Sequence, residues 1–342
     1  MDLTLLAEMI LGVSALLAIA AVWSDQRYSR RLVLPKLSEK PMFVALRVPP
    51  CDDVERVRFG TRDGKMLEGV YARSLTGHRE GVVVFCHEYL ADRWSYQIYA
   101  DGLREAGFDI FSFDFRNHGE SETDPAHPSL PWLTNLEFFD LEAALDYLNC
   151  REDADPAGAA LFGISRGGST ALAIAARRSD VWAVVTDGAF PTVGTLVPYM
   201  QRFAALYVQI PFLVDHLPKP FLRFVGYRGV AKAERKFGCR FLHLESLVSR
   251  ISPKPWFAIH GECDNYISEK VARDLFALAR NPKRFWVVPK AKHNRSQQVD
   301  PENYRANISG FLLECAPSTR QPNEFGSRRS LSERVDQPVA RS

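Results

Sequence analysis

Short apolar runs recur along this chain between polar turns, and stretches with apolar residues three and four apart separate them. Val82–Cys86, Ile110–Phe113, Ala159–Phe162, Val181–Val185, Trp256–His260 and Phe285–Val288 are near-continuous apolar segments of strand length, the pattern of strands buried on both faces. With weaker runs near Arg56 and over Leu67–Ala72 they predict eight strands. The spacing of Leu141, Ala144, Leu145 and Leu148 predicts one helix and that of Tyr304, Ile308, Phe311 and Cys315 another; Gly168–Arg178 and Ser268–Ala279 also read as helical. Strands alternating with helices predict one α/β domain over residues 51–316, a mostly parallel eight-stranded sheet with helices on both faces.

Three segments depart from that alternation. Leu3–Trp23 is an apolar run with a single charge, Glu8, and as a helix it would extend about 31 Å, the thickness of a bilayer core. It predicts one transmembrane helix within residues 1–24, followed by a juxtamembrane linker over 25–50. Met1-Asp2-Leu3-Thr4 lacks the positive charge of a signal peptide. Arg27, Arg30 and Arg31 follow the run, so the positive-inside rule places the domain on the cytoplasmic side of a single-pass protein. Asn294-Arg295-Ser296 and Asn307-Ile308-Ser309 would be glycosylation acceptors in a secretory lumen, which agrees with that side. The roughly sixty residues between Asp187 and Trp256 exceed a simple connection and predict a helical cap over about 190–250. There Met200, Phe203, Leu206, Tyr207, Ile210, Phe212 and Leu213 accompany an excess of arginine and lysine. Residues 317–342 turn polar and predict a disordered tail.

A net charge of +2 with no basic run among aromatics gives no sign of a nucleic-acid partner. The six cysteines form no Cys-x-x-Cys pair, there is no His-Glu-x-x-His, and no phosphate-binding lysine follows the glycines near 163–170, so no cofactor or metal is expected.

The chemistry concentrates in Gly163-Ile164-Ser165-Arg166-Gly167, where a strand run enters and a helical run leaves. That context makes a nucleophile elbow, with Ser165 exposed above the sheet edge and glycines where the turn admits no bulk. A helix N-cap is the ordinary alternative for such a serine. Asp264 follows the strand run ending at Gly261, and His293 follows the run ending at Pro289, in the order serine, acid, histidine. Asp187, at the end of another strand run, competes with Asp264 for the acid role.

Phe85-Cys86-His87-Glu88-Tyr89 resembles a His-Gly oxyanion loop, and Asp114-Phe115-Arg116-Asn117-His118-Gly119-Glu120-Ser121 resembles an Asp-x-Arg-x-x-Gly-x-Ser segment. Together with the elbow, these motifs resemble the α/β-hydrolase superfamily, in particular its membrane-anchored serine hydrolases, over roughly Val54–Leu313. The resemblance implies a Ser165–His293–Asp264 triad and an oxyanion hole from the backbone N–H groups of Tyr89 and Arg166. Glu88 stands where the family has glycine; it is expected to turn away from the site and pair with Arg93. His87, Asp114 and His118 are expected to tie loops together.

The implied activity is cleavage of an acyl ester or thioester through an acyl-enzyme, with an acyl-bearing small molecule or lipid as substrate. An acyltransferase or peptidase with the same triad is one alternative. A non-catalytic, membrane-tethered binding protein is another.

Overall fold

The computed structural model describes residues 3–41, 44–207 and 219–317. They fall into two compact units. The larger comprises Ala45–Thr123, Glu137–Phe190 and the chain from Leu244 onward; the other comprises the chain up to Val44, Asp124–Leu136 and Pro191–His243.

The larger unit is organised by one eight-stranded sheet: β1 Glu55–Gly60, β2 Met66–Ala72, β3 Gly81–Cys86, β4 Phe108–Phe113, β5 Ala159–Ile164, β6 Val181–Asp187, β7 Trp256–Gly261 and β8 Lys283–Val288. Its order is β1-β2-β4-β3-β5-β6-β7-β8. β1 and β2 pair antiparallel with each other, and β2 with β4; every other pairing is parallel. The central strands β3 to β7 are buried at every position, which is why they read as unbroken apolar runs. Edge strand β1 alternates instead.

The longer helices among the described residues are α1 Leu3–Tyr28, α2 Asn135–Asn149, α3 Arg166–Ala175, α4 Thr192–Tyr207, α5 Lys219–Phe237, α6 Glu269–Leu278 and α7 Pro301–Cys315. Helix α7 buries Tyr304, Ile308, Phe311 and Leu312 in the cluster that contains Phe85, Phe162, Val185 and Phe257. Each such large apolar side chain contributes about 2–3 kcal/mol of transfer free energy. In α2 the predicted stripe Leu141, Ala144, Leu145 and Leu148 is buried.

Register sets the working edge. Ile164 pairs with Asp187, Asp187 with Ile259, and Gly261 with Val288, so β5 and β6 end together, β7 and β8 end two residues further on, and their outgoing loops leave the same edge of the sheet. The loop after β4 is fixed by Arg116, a buried guanidinium that bonds Asp140 Oδ1 from Nε (2.9 Å) and Nη2 (2.7 Å), and Asp63 from Nη1 (2.6 Å). Two carboxylates offset the desolvation of one buried cation.

In the other unit, Val193, Leu196, Met200, Leu222, Val225 and Val230 are buried, together with Val33 and Leu37. Gly229 lets α5 approach the chain closely: a Cβ there would overlap the Val33 side chain. The expected cap thus supplies α4 and α5 to this unit, while Ile210, Phe212 and Leu213 lie outside the described residues. So does the expected tail from residue 318 onward.

The expected transmembrane helix needs correction. Residues 3–23 are helical within α1, but among the described residues no helix is long and apolar enough to cross a membrane. With no such span among the described residues, the arginines at 27, 30 and 31 no longer assign the domain to a side of a membrane.

Candidate active site

Ser165 sits between β5 and α3 with φ 52° and ψ −118°, a left-handed conformation that strains a residue bearing a Cβ. The flanking glycines make that turn possible. A Cβ on Gly163 would lie 2.5 Å from the Gly167 carbonyl oxygen, and one on Gly167 would overlap the Cys86 carbonyl oxygen at the end of β3. The elbow is held by the Ser165 N–H, which donates to the Asp187 carbonyl oxygen at 2.7 Å. The serine makes no side-chain cap bond to α3. Its Oγ meets His293 Nε2 at 2.9 Å instead.

On its other side, His293 Nδ1 donates to Asp264 Oδ2 at 2.6 Å. Asp264 Oδ1 accepts the backbone N–H groups of Tyr266 (2.9 Å) and Ile267 (2.8 Å), which aim the carboxylate. Burial alone pushes the Asp264 carboxyl up; the His293 charge and hydrogen bond outweigh it and leave it below the usual value. Asp187, the competing acid, is engaged elsewhere. It accepts from Ser296 Oγ (3.1 Å) and Tyr304 Oη (3.2 Å), and burial pushes its carboxyl up to about 7.

The loop after β3 lies beside the elbow because β3 and β5 are sheet neighbours. His87 Nδ1 donates to the Glu88 carbonyl oxygen (2.7 Å), while its Nε2 accepts the Phe115 N–H (3.1 Å), tying this loop to the one after β4. Burial pushes the His87 imidazole down to about 3 and keeps it neutral in that role. His118 likewise donates to the Arg116 carbonyl oxygen (2.8 Å) and accepts from Arg166 Nη2 (3.2 Å). The Arg166 guanidinium also reaches Glu137 (3.3 Å) and lies 5.1 Å from the Tyr89 ring centroid. The side chain after the nucleophile is thereby directed into the protein, against the loop that carries Tyr89.

Glu88 does not pair with Arg93. That arginine bonds Asp114 and, at 2.5 Å, Glu120, a carboxylate pair on the loop after the neighbouring strand β4 that outcompetes Glu88. Glu88 is 1% exposed, and its Oε1 is within 3.4 Å of the Tyr99 hydroxyl.

Residues 81–220 match the family model for the α/β hydrolase fold. The structure is similar to the esterase Pf2001 of Pyrococcus furiosus, with a TM-score of 0.60 and 21% identity over 82% of this chain and 99% of that one. The chain has the α/β-hydrolase fold. Among curated relatives, this chain is 26% identical to the uncharacterized protein YfhR of Escherichia coli K12 over 76% of its own length and 80% of the relative's. It is 27% identical to the uncharacterized protein Rv2307c of Mycobacterium tuberculosis H37Rv over 90% and 96%. Among the described residues no cluster of three His, Cys, Asp or Glu side chains is arranged to hold a metal ion.

The site thus brings together Ser165, Asp264 and His293, and it holds Tyr89 and Arg166 on adjoining segments. Missed in the sequence were Tyr99, Asn294 and Ser296, which surround the base loop. The glycosylation reading touched Asn294 and Ser296 only as sequon positions; both are buried.

Proposed function

We propose that this α/β hydrolase is an esterase-type serine hydrolase acting on acyl esters or thioesters with a lipid-like acyl chain. The observation that carries the reading is the continuous contact Ser165 Oγ, His293 Nε2, His293 Nδ1, Asp264 Oδ2, with links of 2.9 and 2.6 Å. In the proposed reaction the Ser165 hydroxyl attacks the acyl carbonyl as its proton passes to His293 Nε2. The tetrahedral oxyanion is held by the N–H groups of Tyr89 and Arg166, the latter at the positive end of α3. Collapse expels the alcohol or thiol, which takes the proton from His293. Water then attacks the acyl-enzyme with His293 again as base. Asp264 keeps the imidazole in the tautomer that can accept at Nε2.

The esterase Pf2001 supports the ester-cleaving part by analogy of fold. The acyl-chain part is read from the apolar, aromatic and basic composition of the segment between Asp187 and Trp256. A series of nitrophenyl esters and acyl thioesters tests both. We expect kcat/KM to rise by about tenfold or more from acetyl to octanoyl. A fall with chain length would remove the lipid-like part, and no turnover of any member would remove the hydrolase reading.

Membrane association through α1 belongs to the same proposal. Met9, Ile10, Leu11, Leu16, Ile19 and Trp23 are all exposed on that helix, an apolar surface that costs free energy in water and gains it in lipid. Full-length protein is expected to pellet with vesicles, and a form beginning at Arg30 to stay in the supernatant. Equal partitioning of the two forms would refute the role of α1.

A further inference from the structure

Among the buried titratable side chains beside the proposed catalytic groups, Glu88 has no part in the proposed reaction. Glu88 directly precedes Tyr89, the proposed oxyanion donor, and Asn294 directly follows His293. Between them stands Tyr99, on the helical turn Tyr96–Tyr99, with its hydroxyl 3.4 Å from Glu88 Oε1 and 3.3 Å from the Asn294 carbonyl oxygen. All three residues are buried. Leu90 (φ 69°) and Asn294 (φ 54°) hold left-handed backbone next to these contacts, so each loop needs something to hold its shape. Glu88 Oε2 and both side-chain polar atoms of Asn294 are buried without a protein partner.

Resting on the triad reading above, we propose that Glu88, acting through the Tyr99 hydroxyl, is a positioning residue that couples the oxyanion loop to the loop bearing the base. A phenol has one proton, and counting it shows how the coupling works. When Glu88 is a neutral acid, its O–H donates to the Tyr99 oxygen and the Tyr99 O–H is left to donate to Asn294. Both loops are then joined in one chain of hydrogen bonds. Once Glu88 is a carboxylate it can only accept, so Tyr99 turns its single proton to Glu88 and releases the Asn294 carbonyl. The same ionisation brings a negative charge to the residue next to the oxyanion donor.

Burial pushes the Glu88 carboxyl up to about 7, with its own backbone N–H, Tyr99 and His293 opposing and Asp187 reinforcing. The ionisable groups facing it are therefore Tyr99, His293 on the loop after β8, Asp187 at the end of β6, and Tyr304 on α7, whose own hydroxyl is pushed up in part by Glu88. Ionisation of Glu88 lowers activity as pH rises. The wild-type profile should fall on the alkaline side of about pH 7.

The test is kcat and KM for a non-ionising ester from pH 5 to 9, alongside fluorophosphonate labelling. Glu88→Ala is expected to lower kcat about tenfold with KM within about twofold, since positioning acts on the transition state. Glu88→Gln, whose amide can donate to Tyr99 at every pH, should recover most of that loss and remove the alkaline fall. Tyr99→Phe should lower kcat as Glu88→Ala does, and the double variant should be no worse than either single. If Glu88→Ala does not fold, Glu88→Gln and Tyr99→Phe carry the test. An alkaline fall unchanged in Glu88→Gln, or additive losses in the double variant, would overturn the coupling. Labelled wild type with unaffected variants refutes this inference alone, whereas unlabelled wild type removes the triad reading and the coupling with it.

Discussion

Ser165→Ala abolishes ester turnover and covalent labelling by a fluorophosphonate, with kcat lower by about 10⁶-fold if the triad works as a unit. The reasoning starts from backbone geometry. A residue at φ 52° is strained, and the strain is kept here by steric limits at Gly163 and Gly167 and by the N–H bond to the Asp187 carbonyl. Those constraints aim the hydroxyl at His293. Alanine retains the Cβ and the same backbone demand, so the variant should fold; what disappears is the only atom of residue 165 able to form an acyl bond. Residual rate over water would come from whatever oxyanion stabilisation the Tyr89 and Arg166 N–H groups supply. Mass spectrometry of the labelled protein checks the outcome directly. A labelled alanine variant, or turnover reduced by less than about tenfold, would place the nucleophile elsewhere.

Much of this site was legible because it is built from strand ends. In a parallel sheet the outgoing loops of neighbouring strands share one edge, so once β5, β7 and β8 are read as apolar runs, Ser165, Asp264 and His293 must come close. The central strands are buried on both faces, and such runs are the easiest to see in a sequence. Pairings that cross the fold were not legible. Arg93 and Glu88 are close in sequence and of opposite charge, but sheet order sets β3 beside β4 and delivers Asp114 to the same arginine. The link from Tyr99 to Asn294 joins residues 195 positions apart, and no local spacing encodes it. The apolar run at the N-terminus shows the opposite failure. Its hydropathy predicts a bilayer span, and among the described residues no helix is long and apolar enough to make one.

The acid can be assigned by a pair of isosteric substitutions, and the expected asymmetry is large. Asp264→Asn should lower kcat by about 10⁴-fold with KM little changed, whereas Asp187→Asn should cost less than about tenfold. The asparagine at 264 can still accept from the Tyr266 and Ile267 N–H groups through its carbonyl oxygen, so the loop keeps its shape. Its amide nitrogen would then face His293 Nδ1 and donate to it. That fixes the imidazole proton on Nε2, the atom that must be bare to accept the serine proton, and the imidazolium loses its counter-charge. Asp187 accepts Ser296 and Tyr304 on separate oxygens, and an asparagine would keep one of these bonds through its amide oxygen while its NH2 donates to the other hydroxyl oxygen. Its nearness to His293 is felt through charge alone, and burial keeps that carboxyl neutral over much of the acid range. Steady-state kinetics at pH 7 with matched melting curves separates the two roles. A large loss in Asp187→Asn beside an active Asp264→Asn would move the acid from the end of β7 to the end of β6.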